Sequence, residues 1–167
     1  MLNFVRPESF KVWRAVVLLA LSSAAFAVHS ADADDVSTIL AGANAPAGVV
    51  FEVVSGNEAA LESALPRTQK FIRQLRERFP GLAVAVVSHG SEQFALTTDS
   101  ATRFGSIHEF ARTLRSDDAI TVEVCGNHAA MRGVSGDSFP DYVKVVPRAP
   151  GAIDAYVAQG YQLVIID

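Results

Sequence analysis

The single cysteine of the chain lies in a segment with chemical potential, Cys125-Gly126-Asn127-His128. The segment follows a β-branched run, 119–124, and opens a short predicted helix that ends near Met131. Ligands of open α/β sheets bind at the carboxyl ends of strands, and the first N–H groups of a following helix favour a charged sulfur. The position predicts a reactive thiol at Cys125, while the alternative is a small, buried apolar residue, as unpaired cysteines often are.

Two histidines follow predicted strands at the same edge. His128 comes three residues after Cys125 and shares its predicted helical turn, whereas His89 ends the apolar run 82–88. Either imidazole could stabilise a thiolate or orient a substrate, and the alternative for each is a hydrogen bond to a loop carbonyl. The catalytic candidates are therefore Cys125 and His128, and the substrate-binding candidates are His89, Gly90, Gly126 and Asn127.

Other chemistries have less support in the sequence. A zinc or copper site built from Cys125, His128 and His89 is conceivable, but neither paired cysteines nor a His-x-x-x-His spacing accompanies it, so no metal is expected. The Gly-x-Ser-x-Gly motif of serine hydrolases and the glycine-rich phosphate loops are absent, and no organic cofactor is expected. The net charge of -4 and the dispersed Lys and Arg residues give no footprint for nucleic acid or an anionic membrane.

The amino terminus has the pattern of a secretory signal. Arg6, Lys11 and Arg14 precede the apolar run 15–21, and Ala25-Phe26-Ala27 offers a small-x-small cleavage site. An uncleaved anchor is the rival interpretation, but the apolar run is shorter than the roughly 20 residues that a spanning helix needs. We therefore expect residues 1–27 to be removed and the mature chain to be periplasmic, without a membrane segment.

The rest of the chain reads as one domain behind a leader. Residues 28–47 predict a flexible leader with about one helical turn near 36–41, and residues 48–167 predict a single domain. Strand patterns alternate with helical patterns, which predicts an α/β three-layer sandwich with a five-stranded, mostly parallel sheet. Pro66 is expected to kink or break the second helix. The strands are predicted near 49–54, 82–88, 119–124, 142–146 and 161–166, and the helices near 57–78, 107–115, 126–131 and 150–158.

Three groups of residues in this order resemble a known family. They are a strand followed by His89-Gly90, a strand followed by Cys125-Gly126-Asn127 and then Met131-Arg132-Gly133-Val134, and the closing Gly151-Ala152-Ile153 with Gln159-Gly160-Tyr161. The mature chain resembles the DsrE/DsrF-like sulfur-relay family. The resemblance implies a flavodoxin-like DsrE/F topology and a homo-oligomer, either a trimer or a hexamer.

The same resemblance implies a function. Cys125 matches the cysteine that accepts sulfane sulfur as a persulfide from a donor and passes it to a partner protein thiol, without a cofactor. The chain departs from the family in having His128 where many relatives have threonine, and in its export signal. The assignment as an enzyme stays open, because a non-catalytic oligomeric binding module with a structural cysteine and a redox thiol remain as alternatives.

Overall fold

The computed structural model describes residues 31–166. The expected signal, residues 1–27, lies outside the described residues, as do residues 28–30 of the expected leader and Asp167. Between residues 31 and 166, no helix combines the length and the apolar character needed to cross a bilayer.

One sheet organises the described part of the chain. Its strands are β1 (Gly48–Val53), β2 (Ala83–Ser88), β3 (Ile120–Cys125), β4 (Lys144–Val146) and β5 (Tyr161–Ile166). All strand pairs are parallel and the order is β4-β3-β2-β1-β5. The helices are α1 (Ala31–Ala41), α2 (Leu61–Arg78), α3 (Gly105–Arg115), α4 (Gly126–Met131) and α5 (Ala149–Ala158), with 3-10 turns at Glu58–Ala60, Ser91–Leu96, Thr98–Ser100 and Gly136–Ser138. The predicted α/β fold with a five-stranded, parallel, flavodoxin-like sheet is confirmed.

The two faces of the sheet are covered unequally. Side chains alternate between the faces along each strand, so Val49, Phe51 and Val53 pack with α1, α2 and α3 in the larger core cluster. The opposite face is covered by α5, whose Ala149 and Ile153 pack on a smaller cluster. Among the helices of residues 31–166, α5 alone packs in this smaller cluster, so the second face is less covered in this part of the chain.

The second face remains partly open along β5. Leu163 and Ile165 alternate with the buried residues of this strand, and their exposed fractions are 36% and 45%. They lie opposite Val50 and Glu52 of β1. The part of the second face that lies over β5 is therefore apolar and accessible to solvent.

Two local features differ from the sequence expectations. Helix α1 covers eleven residues instead of one turn, because Val36 is buried in the main core and the Asp32 carboxylate lies 3.0 Å from Arg67 Nε. Helix α2 continues without a break through Pro66. Pro66 lies in the second turn, where it removes a single hydrogen bond from a long helix whose apolar side stays buried.

A buried histidine in α3 makes stability depend on pH. Burial lowers the pKa of His108 below its ordinary value of 6.5, and the nearby Arg112 guanidinium acts in the same direction. At acidic pH the native state thus binds fewer protons than the unfolded chain. The contribution of neutral His108 to the free energy of unfolding is complete above pH 6.5 and is lost as pH falls through the lowered native pKa.

We therefore expect the free energy of unfolding to decrease between about pH 7.5 and about pH 5.5. The free energy of unfolding of His108→Gln should decrease less over the same interval, since this variant lacks the buried group that gains a proton on unfolding. Urea unfolding of both proteins across this range measures the difference. Parallel pH profiles for the two proteins would exclude His108 as the source.

Candidate functional site around Cys125

Cys125 is the last residue of β3 and packs on the face that α5 covers. Its neighbours in the smaller core cluster include Val87, Val146 and Ile153. The residue is 5% exposed. The thiol therefore lies at the carboxyl edge of the sheet, as the sequence predicts, but it is buried beneath the start of a helix.

The amino terminus of α5 faces the sulfur. The main-chain N–H of Ala149, the first residue of α5, donates to Cys125 Sγ over 3.5 Å. The first N–H groups of a helix have no partner within it and carry partial positive charge. The sequence favoured the helix that follows Cys125 as the donor, but the Asn127 N–H donates to the Pro147 carbonyl over 3.0 Å. The donor to sulfur comes from α5 instead.

His89 lies beside Cys125 on the neighbouring strand. Ser88 pairs with Val124 in register, so His89 and Cys125 are the next residues along β2 and β3 and leave the sheet on the same side. His89 Nε2 donates to Glu52 Oε1 over 2.7 Å, and Glu52 belongs to β1 on the far side of β2. The carboxylate, the imidazole and the thiol therefore form a row across three adjacent strands.

His128 holds a different position. Its Nδ1 donates to the main-chain carbonyl of His89 over 2.7 Å, and its ring meets Phe94 edge to face with centroids 5.4 Å apart. This is the loop-carbonyl contact that was the alternative for either histidine. Neither His89 nor His128 forms a hydrogen bond to Cys125 Sγ in the described structure. His128 thus joins α4 to the loop after β2.

A buried carboxylate holds together the loops after β1 and β2. Glu92 is 0% exposed, and its Oε1 accepts hydrogen bonds from Ser88 Oγ at 2.7 Å and the Gly90 N–H at 2.8 Å. Its Oε2 accepts the Ser55 N–H at 2.6 Å. A Cβ atom at Gly90 would lie 2.3 Å from the Ser55 carbonyl oxygen, so only glycine fits there. Gly90, a substrate-binding candidate, is enclosed by protein in this arrangement.

The next residue, Gln93, fixes the main chain at the thiol. Its side chain is fully buried, and its Oε1 accepts the Cys125 N–H over 2.8 Å. Its Nε2 has no hydrogen-bond partner in the described structure. Together, Glu92 and Gln93 connect the loop after β2 to the carboxyl ends of β1, β2 and β3, where Glu52, His89 and Cys125 lie.

A second buried carboxylate lies two residues before Cys125 on the same face. Glu123 is 0% exposed, and its Oε1 accepts hydrogen bonds from Lys144 Nζ at 2.8 Å and from Tyr156 Oη at 2.7 Å. Glu123 Oε2 has no partner in the described structure. This network joins β3, β4 and α5 next to the thiol.

The other predicted residues surround the thiol without contacting it through hydrogen bonds. Asn127 is exposed at the start of α4. Gly126 packs on β4, where a Cβ would lie 3.1 Å from Val145 Cγ1. Within residues 31–166, no group of three or more His, Cys, Asp or Glu side chains is arranged to hold a metal ion.

A groove of the described structure is remote from the thiol. It has a volume of about 500 Å³ and lies between α2 and α3, where Arg73, Arg76 and Ile120 line it. Ile120 is the first residue of β3, so this groove is at the amino-terminal end of the strands. Ligands of parallel sheets bind at the carboxyl ends of the strands, so the edge that contains Cys125 is the better candidate for a functional site.

Solved structures share this α/β architecture. One is the structure of the protein of unknown function MTH1491 from Methanobacterium thermoautotrophicum, with a TM-score of 0.54, 21% identity, and coverage of 70% of this chain and 96% of that chain. Another is the ychN protein from E. coli, with a TM-score of 0.53, 14% identity, and coverage of 71% of this chain and 99% of that chain. At these identities the similarity establishes the fold. No protein-family model and no curated protein matches the sequence.

Several residues of the site were missed from the sequence. Glu52 and Glu123 interrupt β-branched runs, and a carboxylate inside a buried strand is a signal that could have identified them. Glu92 and Gln93 lie in a polar segment that reads as a loop, and their burial had no local signal. The contact between Ala149 and Cys125 depends on how α5 crosses the sheet.

Proposed function

We propose that this protein is a sulfur carrier that accepts sulfane sulfur as a persulfide on Cys125 and passes it to a partner thiol. The observation that supports the proposal most directly is the Ala149 N–H, which donates to Cys125 Sγ from the amino terminus of α5. A helix amino terminus is a good partner for negative charge, and both a thiolate and a persulfide carry it. The DsrE/DsrF-like fold is consistent with this chemistry.

The transfer is balanced without an external oxidant. The Cys125 thiolate attacks the outer sulfur of a donor persulfide, a new sulfur–sulfur bond forms, and the bond in the donor breaks so that the donor leaves as a thiolate. Delivery repeats the exchange, with an acceptor thiolate attacking the outer sulfur on Cys125. No metal or organic cofactor takes part in either step.

The neighbouring polar row has a defined part in this proposal. His89 lies next to Cys125 across the β2–β3 pair, and Glu52 orients its ring through Nε2. An imidazole that a carboxylate orients is a common partner of a sulfur nucleophile, because it exchanges protons with the thiol and with the leaving group. His128 acts as a positioning residue, since it holds the His89 carbonyl.

The proposal also includes the cellular setting that the sequence suggests. The chain would be exported to the periplasm through residues 1–27 and would assemble as a homo-oligomer, a trimer or a hexamer. Its partners would be proteins that donate or accept sulfur through a thiol. These statements rest on the amino-terminal pattern and on the family resemblance.

Intact mass measurement tests the function. Reduced protein without residues 1–27 is incubated with inorganic polysulfide, and we expect mass gains of whole sulfur atoms that disappear after treatment with a reductant. Cys125→Ser should show no gain, because the accepting sulfur is gone and Ser keeps a similar volume. Loading that persists in Cys125→Ser would overturn the assignment of the acceptor.

Burial of the thiol favours a second candidate function. With an exposed fraction of 5%, Cys125 also fits a structural residue in a non-catalytic, oligomeric binding module. An unchanged mass of the native protein, with the same polysulfide shown to load another thiol, would favour this module. Loading of the unfolded protein but not of the native protein would also favour the binding module.

A further inference from the structure

A small cavity lies under α5 beside the thiol. It has a volume of about 230 Å³ and is bounded by the strands β3 and β4 on one side and by α5 on the other. Its lining includes Glu123, Lys144, Val146, Ala152, Tyr156 and Gln159. Polar and apolar groups therefore line the cavity in about equal measure, and the polar ones can orient a small molecule.

The floor of the cavity has an unused hydrogen-bond acceptor. Glu123 is 0% exposed, and its Oε1 already accepts two hydrogen bonds while its Oε2 accepts none in the described structure. A buried carboxylate oxygen without a donor is costly, and native proteins rarely leave one. A ligand that brings a hydrogen-bond donor, preferably a cationic one, would satisfy Oε2.

The rim of the cavity has unused donors. The hydrogen bond to Glu123 raises the pKa of Lys144 above its ordinary value, so the ammonium is charged at neutral pH. Its side chain is 61% exposed, and an ammonium has three N–H groups, one of which goes to Glu123 Oε1. Burial raises the pKa of Tyr156, so its hydroxyl stays protonated and donates to Glu123. The cavity thus offers an acceptor and a donor side by side.

The cavity also adjoins the thiol. Glu123 and Cys125 are alternate residues of β3 on one face, which separates their Cα atoms by about 7 Å along the strand. Val146 lines the cavity and packs in the same cluster as Cys125, and Ala152 packs against that cluster. A ligand held at Glu123 and Lys144 would therefore lie next to the cluster that contains Cys125.

We propose that this cavity binds the zwitterionic head of a small amino-acid thiol, with cysteine persulfide as the sulfur donor. The α-ammonium group pairs with Glu123 Oε2 and the α-carboxylate with Lys144 Nζ. This assignment rests on the proposed function, because the Cys125 thiolate attacks the outer sulfur of the ligand. The ligand's sulfur–sulfur bond breaks as the new one forms, and cysteine leaves as a thiolate that takes a proton from water.

Loading kinetics with two donors test the proposal. The rate of persulfide formation is measured by quenched-flow mass spectrometry with cysteine persulfide and with inorganic polysulfide, which has no amino-acid head. Glu123→Gln keeps the shape but replaces the free acceptor by an amide donor, and Lys144→Gln removes the cation. Both variants should load at least about 10-fold more slowly from cysteine persulfide and at the wild-type rate from polysulfide. Lys70→Gln, an exposed lysine of α2, is the matched control and should change neither rate.

The other outcomes separate this proposal from the proposed function. Unchanged loading from cysteine persulfide in both variants overturns the amino-acid site and leaves the sulfur carrier intact, and so does equal slowing with both donors. Failure of the wild-type protein to load from either donor overturns the sulfur carrier.

A binding measurement tests the site without sulfur transfer. S-methylcysteine has the same head group but no transferable sulfur, and calorimetric titration should detect its binding to wild type and to Cys125→Ser alike. Lys144→Gln is at an exposed position on a short edge strand, and its amide can still donate to Glu123, so circular dichroism should show a folded variant even if Glu123→Gln is unstable. Binding of S-methylcysteine to Lys144→Gln with wild-type affinity would overturn the proposal.

Discussion

Replacing Glu92 by alanine is expected to lower the free energy of unfolding by about 3 to 5 kcal/mol. The substitution would leave two buried donors, the Ser88 hydroxyl and the Gly90 N–H, and the partly buried Ser55 N–H without an acceptor. Each buried donor that loses its partner costs on the order of 1 to 3 kcal/mol, and water reaches part of the gap that the side chain leaves. This loss is a large share of the stability of a typical domain.

Urea unfolding monitored by circular dichroism measures this effect. Glu92→Gln keeps one carbonyl acceptor, so its free energy of unfolding should fall by less than that of Glu92→Ala. Glu109→Ala is the matched control, because the Glu109 side chain is 74% exposed and pairs only with Arg112 on the helix surface. A decrease below about 1 kcal/mol for Glu92→Ala would mean that the loops after β1 and β2 do not depend on this carboxylate.

Replacing Ala149 by proline is expected to slow persulfide loading of Cys125 by about 10- to 100-fold. Proline removes the one N–H that donates to Sγ, and it is well tolerated as the first residue of a helix. The preceding Arg148 has φ -143° and ψ 119°, a conformation that a following proline allows. The proline Cδ would take the place of the hydrogen next to Sγ in a fully buried site, so the change deletes the donor and also pushes Sγ and the ring apart.

The matched control for this variant is Ala149→Gly, which keeps the N–H at the same place. Loading rates from polysulfide are compared for the three proteins, and circular dichroism verifies that the helices are retained. If the proline and glycine variants load at the same rate, the N–H does not stabilise the charge on sulfur. The proposed function would then lose its most direct support.

The strands could be predicted because their signal is local. The β-branched runs that end in Ser88 and Val124 are buried on both faces, and such runs specify parallel strands from their composition alone. The position of Cys125 at the end of β3 followed from the same pattern. The length of helix α1 was predicted too short, because the helix is stabilised by the burial of Val36 against distant parts of the chain.

The partners of the thiol could not be predicted because they come from distant segments. Ala149 reaches Sγ only because the connection between β4 and β5 lays α5 over β1, β2 and β3. His89 meets Glu52 through the pairing of β1 with β2, which sequence spacing does not fix. His128, the favoured assistant from its spacing to Cys125, instead turns to the His89 carbonyl.

The position of β5 next to β1 has a consequence for the folding pathway. These paired strands are separated by about 110 residues in sequence, whereas every other pair in the sheet joins consecutive strands. During synthesis, β1 to β4 emerge before α5, whose first residues cover the thiol. We therefore expect the thiol to be open to oxidation in folding intermediates until α5 packs on the sheet.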